Sequence, residues 1–218
     1  PPGEATSEMG AHPPSGRFPE TVIRTAFPGL HTREGYATLN NGFWGAGRFG
    51  CSGSDGGLIL DMAVAFDLIH EAVKPDGSPV MTPAMRARII DDLILPGAAD
   101  SENWNEINNK CGPGRAMSGA VGILFDRPES VHRAVTGFET LLEHSFHFDG
   151  FCKESPSYSA MHLNLLREIP EVVAGYSDPP GWRNANGWRM DAYDPFKADI
   201  YRLSLESMVR MLDCTSKF

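Results

Sequence analysis

The sequence is poor in cysteine and in long apolar runs, and no stretch alternates polar and apolar residues over the length of a strand. Four cysteines, Cys51, Cys111, Cys152 and Cys214, are scattered through 218 residues with no CxxC pair. That argues against a structural zinc site built from cysteines. It leaves open one or two disulfides, or four small buried side chains. Apolar runs such as Leu58–Leu60 and Ala63–Phe66 are far shorter than the ~20 residues of a membrane-spanning helix. Residues 1–16 are rich in Pro, Gly and Ser rather than apolar, so no signal peptide is read there. Positive charge is also in deficit, and the formal net charge is −9. A global basic surface for nucleic acid is thereby disfavoured. An acidic ligand would have to be met by a local basic cluster, against the overall field.

What is present reads as globular. Apolar residues make up 41% and charged residues 22% of the chain, a folded rather than disordered composition. The length fits one large domain or two small ones. Residues 1–20 read as an extended or poorly ordered lead. Residues 40–57 (NNGFWGAGRFGCSGSDGG) form a glycine-rich, aromatic loop. From Gly57 the residues Leu58, Met62, Ala65, Phe66 and Ile69 recur at helical spacing, up to the turn Lys74-Pro75-Asp76-Gly77. Thr82 and Pro83 are an N-cap and first-turn pair. They start a helix with Met85, Ile89, Leu93 and Ile94 inward, which Pro96-Gly97 is expected to stop. Residues 98–112 read as a polar loop. Further helices are expected from Gly114 to Phe125, after Asp126-Arg127-Pro128, from Ser157 to Leu165, and over Pro195–Leu212. The expectation is an all-α fold of helix pairs joined by long loops, which in compact domains tend to carry function.

Two loops stand out. ENWNEINNKCGPGR, residues 102–115, offers Trp104, Asn105, Asn108, Asn109, Lys110 and Arg115. Asparagines in such loops commonly make plain turns through their own backbone. Trp beside amides and cations is also what a sugar site uses: the ring stacks on a pyranose face while amides and cations bond hydroxyls and carboxylates. DGFCKESPSYS, residues 149–159, places Tyr158 beside Asp149, Lys153 and Glu154. Both loops lead directly into a helix, and a helix N-terminus favours anions.

NWNEINNKCGPGRAMSGAVGILFDRPE (residues 103–129) followed by HFDGFCKESPSYSAMHL (residues 147–163) resembles the α/α-toroid domain of the heparinase II/III-like polysaccharide lyases. GLILDMAVAFDLIHEA (residues 57–72) and GYSDPPGW (residues 175–182) resemble further parts of it, so the likeness covers roughly residues 40–213. The resemblance implies helical hairpins forming an incomplete (α/α) toroid over residues 21–218, a fragment of a longer chain. It also implies a periplasmic or secreted location and β-elimination of a uronic-acid-containing polysaccharide, with no cofactor, metal, nucleic acid or membrane. In that family an Asn holds the substrate carboxylate and a Tyr some fifty residues later transfers the proton. These roles fall on Asn109 and Tyr158. Trp104, Asn105, Lys110, Arg115, Glu154 and Trp182 fall into substrate-binding positions. Where the family has His after the Asn, this chain has Lys110, and a later family His would lie beyond Phe218.

The chemistry demanded is specific. Removing the proton next to a carboxylate builds charge on it, so a hydrogen-bond donor must hold that carboxylate. A base takes the proton and an acid protonates the leaving glycosidic oxygen. A free Tyr has a pKa of about 10 and serves as an acid unaided, whereas service as a base requires a nearby cation. Lys110, Arg115 and Lys153 are the candidates for it. Two other readings stay open: a glycoside hydrolase using Glu154 with a second carboxylate such as Asp149, and a non-catalytic sugar-binding arc. The plainer readings are that Tyr158 is a core ring, that Asp149-Gly150 is a turn and that Glu154 caps the next helix. His144 and His147 have metal-like spacing, but no acidic or Cys ligand pattern frames them.

Overall fold

The structure is a computed structural model that describes residues 56–102 and 107–215, with the side chains of Asp100 and of residues 211–215 not described. The lead over residues 1–20, nearly all of the glycine-rich loop, Trp104 and Asn105 lie outside the described residues. Those that are described form helices without any strand. Two isolated bridges, Val73–Pro79 and Phe146–Cys152, close short turns. Helix α1 spans Gly56–Ile69, and α2 spans Pro83–Ile89 and runs on through a π-helical segment, Ile90–Ile94, into α3, Leu95–Glu102. Then come α4 (Gly112–Leu124), α5 (Pro128–Ser145), α6 (Pro156–Leu166), α7 (Glu168–Val173), a 3-10 turn at Pro195–Lys197, and α8 (Asp199–Thr215). No helix among the described residues is long and apolar enough to cross a membrane.

The expected N-cap is in place. Thr82 Oγ1 accepts from the Met85 N–H at 3.2 Å, with Pro83 in the first turn. The expected stop at Pro96 is not. Leu95 donates its N–H back to the Ile90 carbonyl, a π-type step just before the proline. Pro96 has no N–H to give, and its ring crowds the carbonyl four residues back. A widened π turn absorbs both defects, so the helix continues to Glu102 and the polar loop is shorter than expected. The inward face of α1 also differs. Ile59, Leu60, Ala63 and Phe66 are buried, while Leu58 is half exposed.

Helix α4 is the centre of the fold. Its first turns are buried on every side, from Gly112 through Gly119. Small side chains make this possible: an added Cβ on Gly56 of α1 would stand 2.4 Å from Gly114 Cα, so those two backbones touch. Helices α1, α3, α5, α6 and α7 all pack on α4. From α5, Val131, Ala134, Val135, Phe138 and Leu141 complete the core. The short helix α7 was not expected. Its Pro170 stands in the first turn, where a missing N–H costs nothing, and Ile169 and Val173 are fully buried.

Candidate functional site

The two loops singled out in the sequence meet in space. Asn109, just before α4, donates from Nδ2 to Glu154 Oε2 at 3.3 Å, joining residues 45 apart in the chain. The neighbouring asparagine makes the plain turn instead: Asn108 Oδ1 accepts from the Lys110 N–H at 2.9 Å and faces the Cys111 thiol at 3.3 Å. Lys110 is held exposed by that turn. Cys152 is a free thiol.

The second loop is fixed by local bonds. Asp149 Oδ1 accepts from the Phe151 N–H at 3.2 Å, and Gly150 takes φ 85°, so Asp149-Gly150 is a turn. The Lys153 N–H reaches the Ser145 carbonyl at 2.9 Å, tying the loop back onto the end of α5. Glu154 does not cap α6. Ser155 does, its Oγ accepting from the Tyr158 N–H at 3.4 Å. Glu154 is thereby left to face Asn109.

Around that contact lies a cleft of about 250 Å³, lined by Asn109, His144, Lys153, Glu154 and His162 with Ile107 at its edge. Asn109 is 7% exposed. Lys153 donates from Nζ to the Glu143 carbonyl at 3.1 Å, which brings a cation to the rim. His162 is 1% exposed and packs against Phe146 with ring centroids 5.4 Å apart. Neither ring nitrogen has a hydrogen-bond partner among the described residues. Burial lowers the His162 pKa, and the Glu154 charge opposes that shift in part. Tyr158 is 50% exposed, so it is not a core ring. It stands one helical turn before His162 on α6, but its side chain is not among those lining the cleft.

A second cleft, of about 410 Å³, adjoins the first along α5 and shares Ile107 with it. Arg115, His132, Arg133 and Thr136 line it. Arg115 therefore lies in this cleft and not beside Glu154. His132 in turn packs against residues 175–191. His132 Nε2 lies 2.8 Å from Asp178 Oδ2, both side chains buried, and that oxygen also accepts the Met190 N–H at 2.6 Å. Asn184 Nδ2 stands 3.4 Å from His132 Nδ1. Asp178 and Asn184 thus hold the ring by its two nitrogens. Trp182 and Trp188 flank the ring, at centroid distances of 4.6 and 4.8 Å. Trp182 is thus half-buried against His132 and is not among the residues lining either cleft.

Sequence reasoning missed His162, Arg133 and the His132–Asp178 pair. His162 had a signal, since it follows Tyr158 by one helical turn. The pair had none, being joined across 46 residues by the fold alone. Among the described residues no group of three His, Cys, Asp or Glu side chains could hold a metal ion. No protein-family model, no curated protein and no solved structure matches the chain.

Proposed function

We propose that this chain is a polysaccharide lyase acting on a uronic-acid-containing polysaccharide by β-elimination, built on an arc of an (α/α) toroid and working in the periplasm or outside the cell. The observation that carries the reading is the Asn109–Glu154 contact at 3.3 Å, which brings the two loops of the family resemblance to one cleft. It also shows the Asn109 amide carrying a carboxylate. A substrate carboxylate is the same acceptor, and the amide stabilises the charge that builds there once the adjacent proton leaves. Lys153 at the rim offsets the Glu154 charge that would otherwise repel such a substrate.

The proton accounting assigns two groups. His162, which burial keeps neutral near neutral pH, takes the proton from the carbon next to the carboxylate. The electron pair of that C–H bond becomes the new double bond and the bond to the glycosidic oxygen breaks. The family resemblance assigns the proton given to the leaving oxygen to the phenol of Tyr158, exposed at the start of α6 and outside the lining of the cleft, so a bound substrate must extend beyond that lining to meet it. A hydrolase needs two carboxylates flanking the bond. Glu154 is the one carboxylate among the described residues lining this cleft, and Asp149 is spent in its turn. That favours elimination.

The test is a panel of uronate polymers followed by ultraviolet absorbance of unsaturated ends. Wild-type chain is expected to produce them and Tyr158→Phe to lose at least a hundredfold in rate. New reducing ends without the absorbance identify a hydrolase. Binding of uronate oligomers without turnover identifies a sugar-binding arc.

A further inference from the structure

The second cleft has a construction that the lyase chemistry does not require. Arg115 leaves α4 and crosses α5 at Gly137. A Cβ added to Gly137 would stand 2.5 Å from Arg115 Cδ, 2.8 Å from Nε and 2.9 Å from Cγ. Glycine in a helix interior is an unfavourable choice, and here it opens the path on which the guanidinium lies. Arg115 is only 9% exposed, and its Nε has no hydrogen-bond partner among the described residues. Arg133, one turn earlier on α5, lines the same cleft and donates to the Glu102 carbonyl. Two cations thus converge in a partly buried space. Burial first, and then the Arg133 charge, push the Arg115 pKa down, with Cys111 and Glu102 opposing. Glu129 at the rim makes its own ion pair with Arg127 at 3.6 Å. Arg115 Nε, buried and without a partner among the described residues, is left for an acceptor that enters the cleft.

We propose that Arg115 and Arg133 form an oxyanion subsite for the carboxylate or sulfate of an acidic sugar unit, in the same groove as the Asn109–Glu154 cleft. Guanidinium forks match such groups in geometry as well as charge. Successive turns of α5 line the two clefts, Thr136, Gly137 and Thr140 in one and His144 and Ser145 in the other. Residues 137 and 144 are about 10 Å apart along the axis, farther than one pyranose reaches. The ligand is therefore an oligosaccharide with acidic groups on separate units, lying along α5. That the ligand is a sugar rests on the function proposed above. That the subsite takes an oxyanion does not.

The experiment titrates the full chain with inorganic sulfate, then with an unsulfated oligouronate and a sulfated one, each as a disaccharide and a hexasaccharide. The readouts are calorimetry and the NMR signal of the Arg115 Nε–H. Sulfate is expected to shift that signal. The hexasaccharide is expected to bind at least tenfold more tightly than the disaccharide, and the better of the two hexasaccharides identifies the natural oxyanion. R115Q and G137A should each weaken hexasaccharide binding at least tenfold, G137A while keeping both cations. R133Q, at a partly exposed position, carries the test if R115Q does not fold. R210Q, on the exposed face of α8, should bind as wild type does. An unmoved Arg115 signal, or equal hexasaccharide affinity in wild type, R133Q and G137A, overturns the subsite. The two proposals separate cleanly. Sulfate binding at Arg115 without any unsaturated product leaves the subsite and removes the lyase. Elimination with an unchanged KM in G137A and R133Q does the reverse.

Discussion

Replacing His162 by Leu should make the protein more stable while ending the proposed elimination. The side chain is 1% exposed and neither ring nitrogen has a hydrogen-bond partner among the described residues. An unsatisfied buried polar group costs about 1–3 kcal/mol, whereas exchanging one core side chain for another of similar size costs less than ~1.5 kcal/mol. The balance is a gain of about 1 kcal/mol at neutral pH. Acidification should widen it. Burial holds the folded pKa of His162 below its ordinary value of about 6.5. As pH falls below that value the unfolded chain binds the proton first, so the wild-type protein loses stability until the folded pKa is passed. The Leu variant lacks this loss. Urea unfolding at pH 7.5 and pH 5 measures both effects through the transition midpoint. A variant destabilised by 1 kcal/mol or more, with an unchanged pH slope, would show that the ring is hydrogen-bonded and is a structural post. That result would also remove it from the proton-transfer role. Stability gained and activity lost together is the signature of a group kept for chemistry.

Asp178→Ala should cost about 1–3 kcal/mol for each group left unpaired, because it leaves His132 and the Met190 N–H without their shared carboxylate in a buried setting; Asp178→Asn, which keeps an acceptor, should cost less, and equal midpoints in urea would refute the pairing. Gly150→Ala should destabilise by about 2–5 kcal/mol, combining the left-handed backbone with crowding, since its Cβ would lie 2.3 Å from the Leu203 carbonyl carbon; an unchanged thermal midpoint would show that the loop does not pack on α8. In a spectrophotometric titration Tyr176 and Tyr193, both pushed up to about 12 chiefly by burial, should ionise last while the fold holds; removing each in turn as Phe should delete high-pH amplitude, and loss of amplitude near pH 10 instead would contradict their burial.

Much of the helical layout is legible in the sequence because its signals are local. Thr82-Pro83 marks a helix start through capping chemistry and Asp126-Arg127-Pro128 through a proline in the first turn, both within one turn, whereas the cap of α6 fell to Ser155 rather than to the expected Glu154. The face of α1 is not legible, because GLILDMAVAF is apolar on nearly every side. Periodicity alone cannot choose between Leu58 and Ile59 there, and packing on α4 decides. Pro96 misleads for a related reason: a proline forbids one backbone bond, and only the π turn beside it reveals that the helix survives.

By itself, the sequence determined an all-α chain with a negative net charge and two polar loops, each leading into a helix. Those properties depend on neighbours within a few positions. Tertiary structure alone decided that Asn109 faces Glu154, that Arg115 crosses Gly137 into a separate cleft, and that His132 pairs with Asp178. Each of those contacts joins residues from different helices or loops. It exists because the small side chains of α4 let the surrounding helices close on one centre, and no spacing along the chain encodes which side chains then meet.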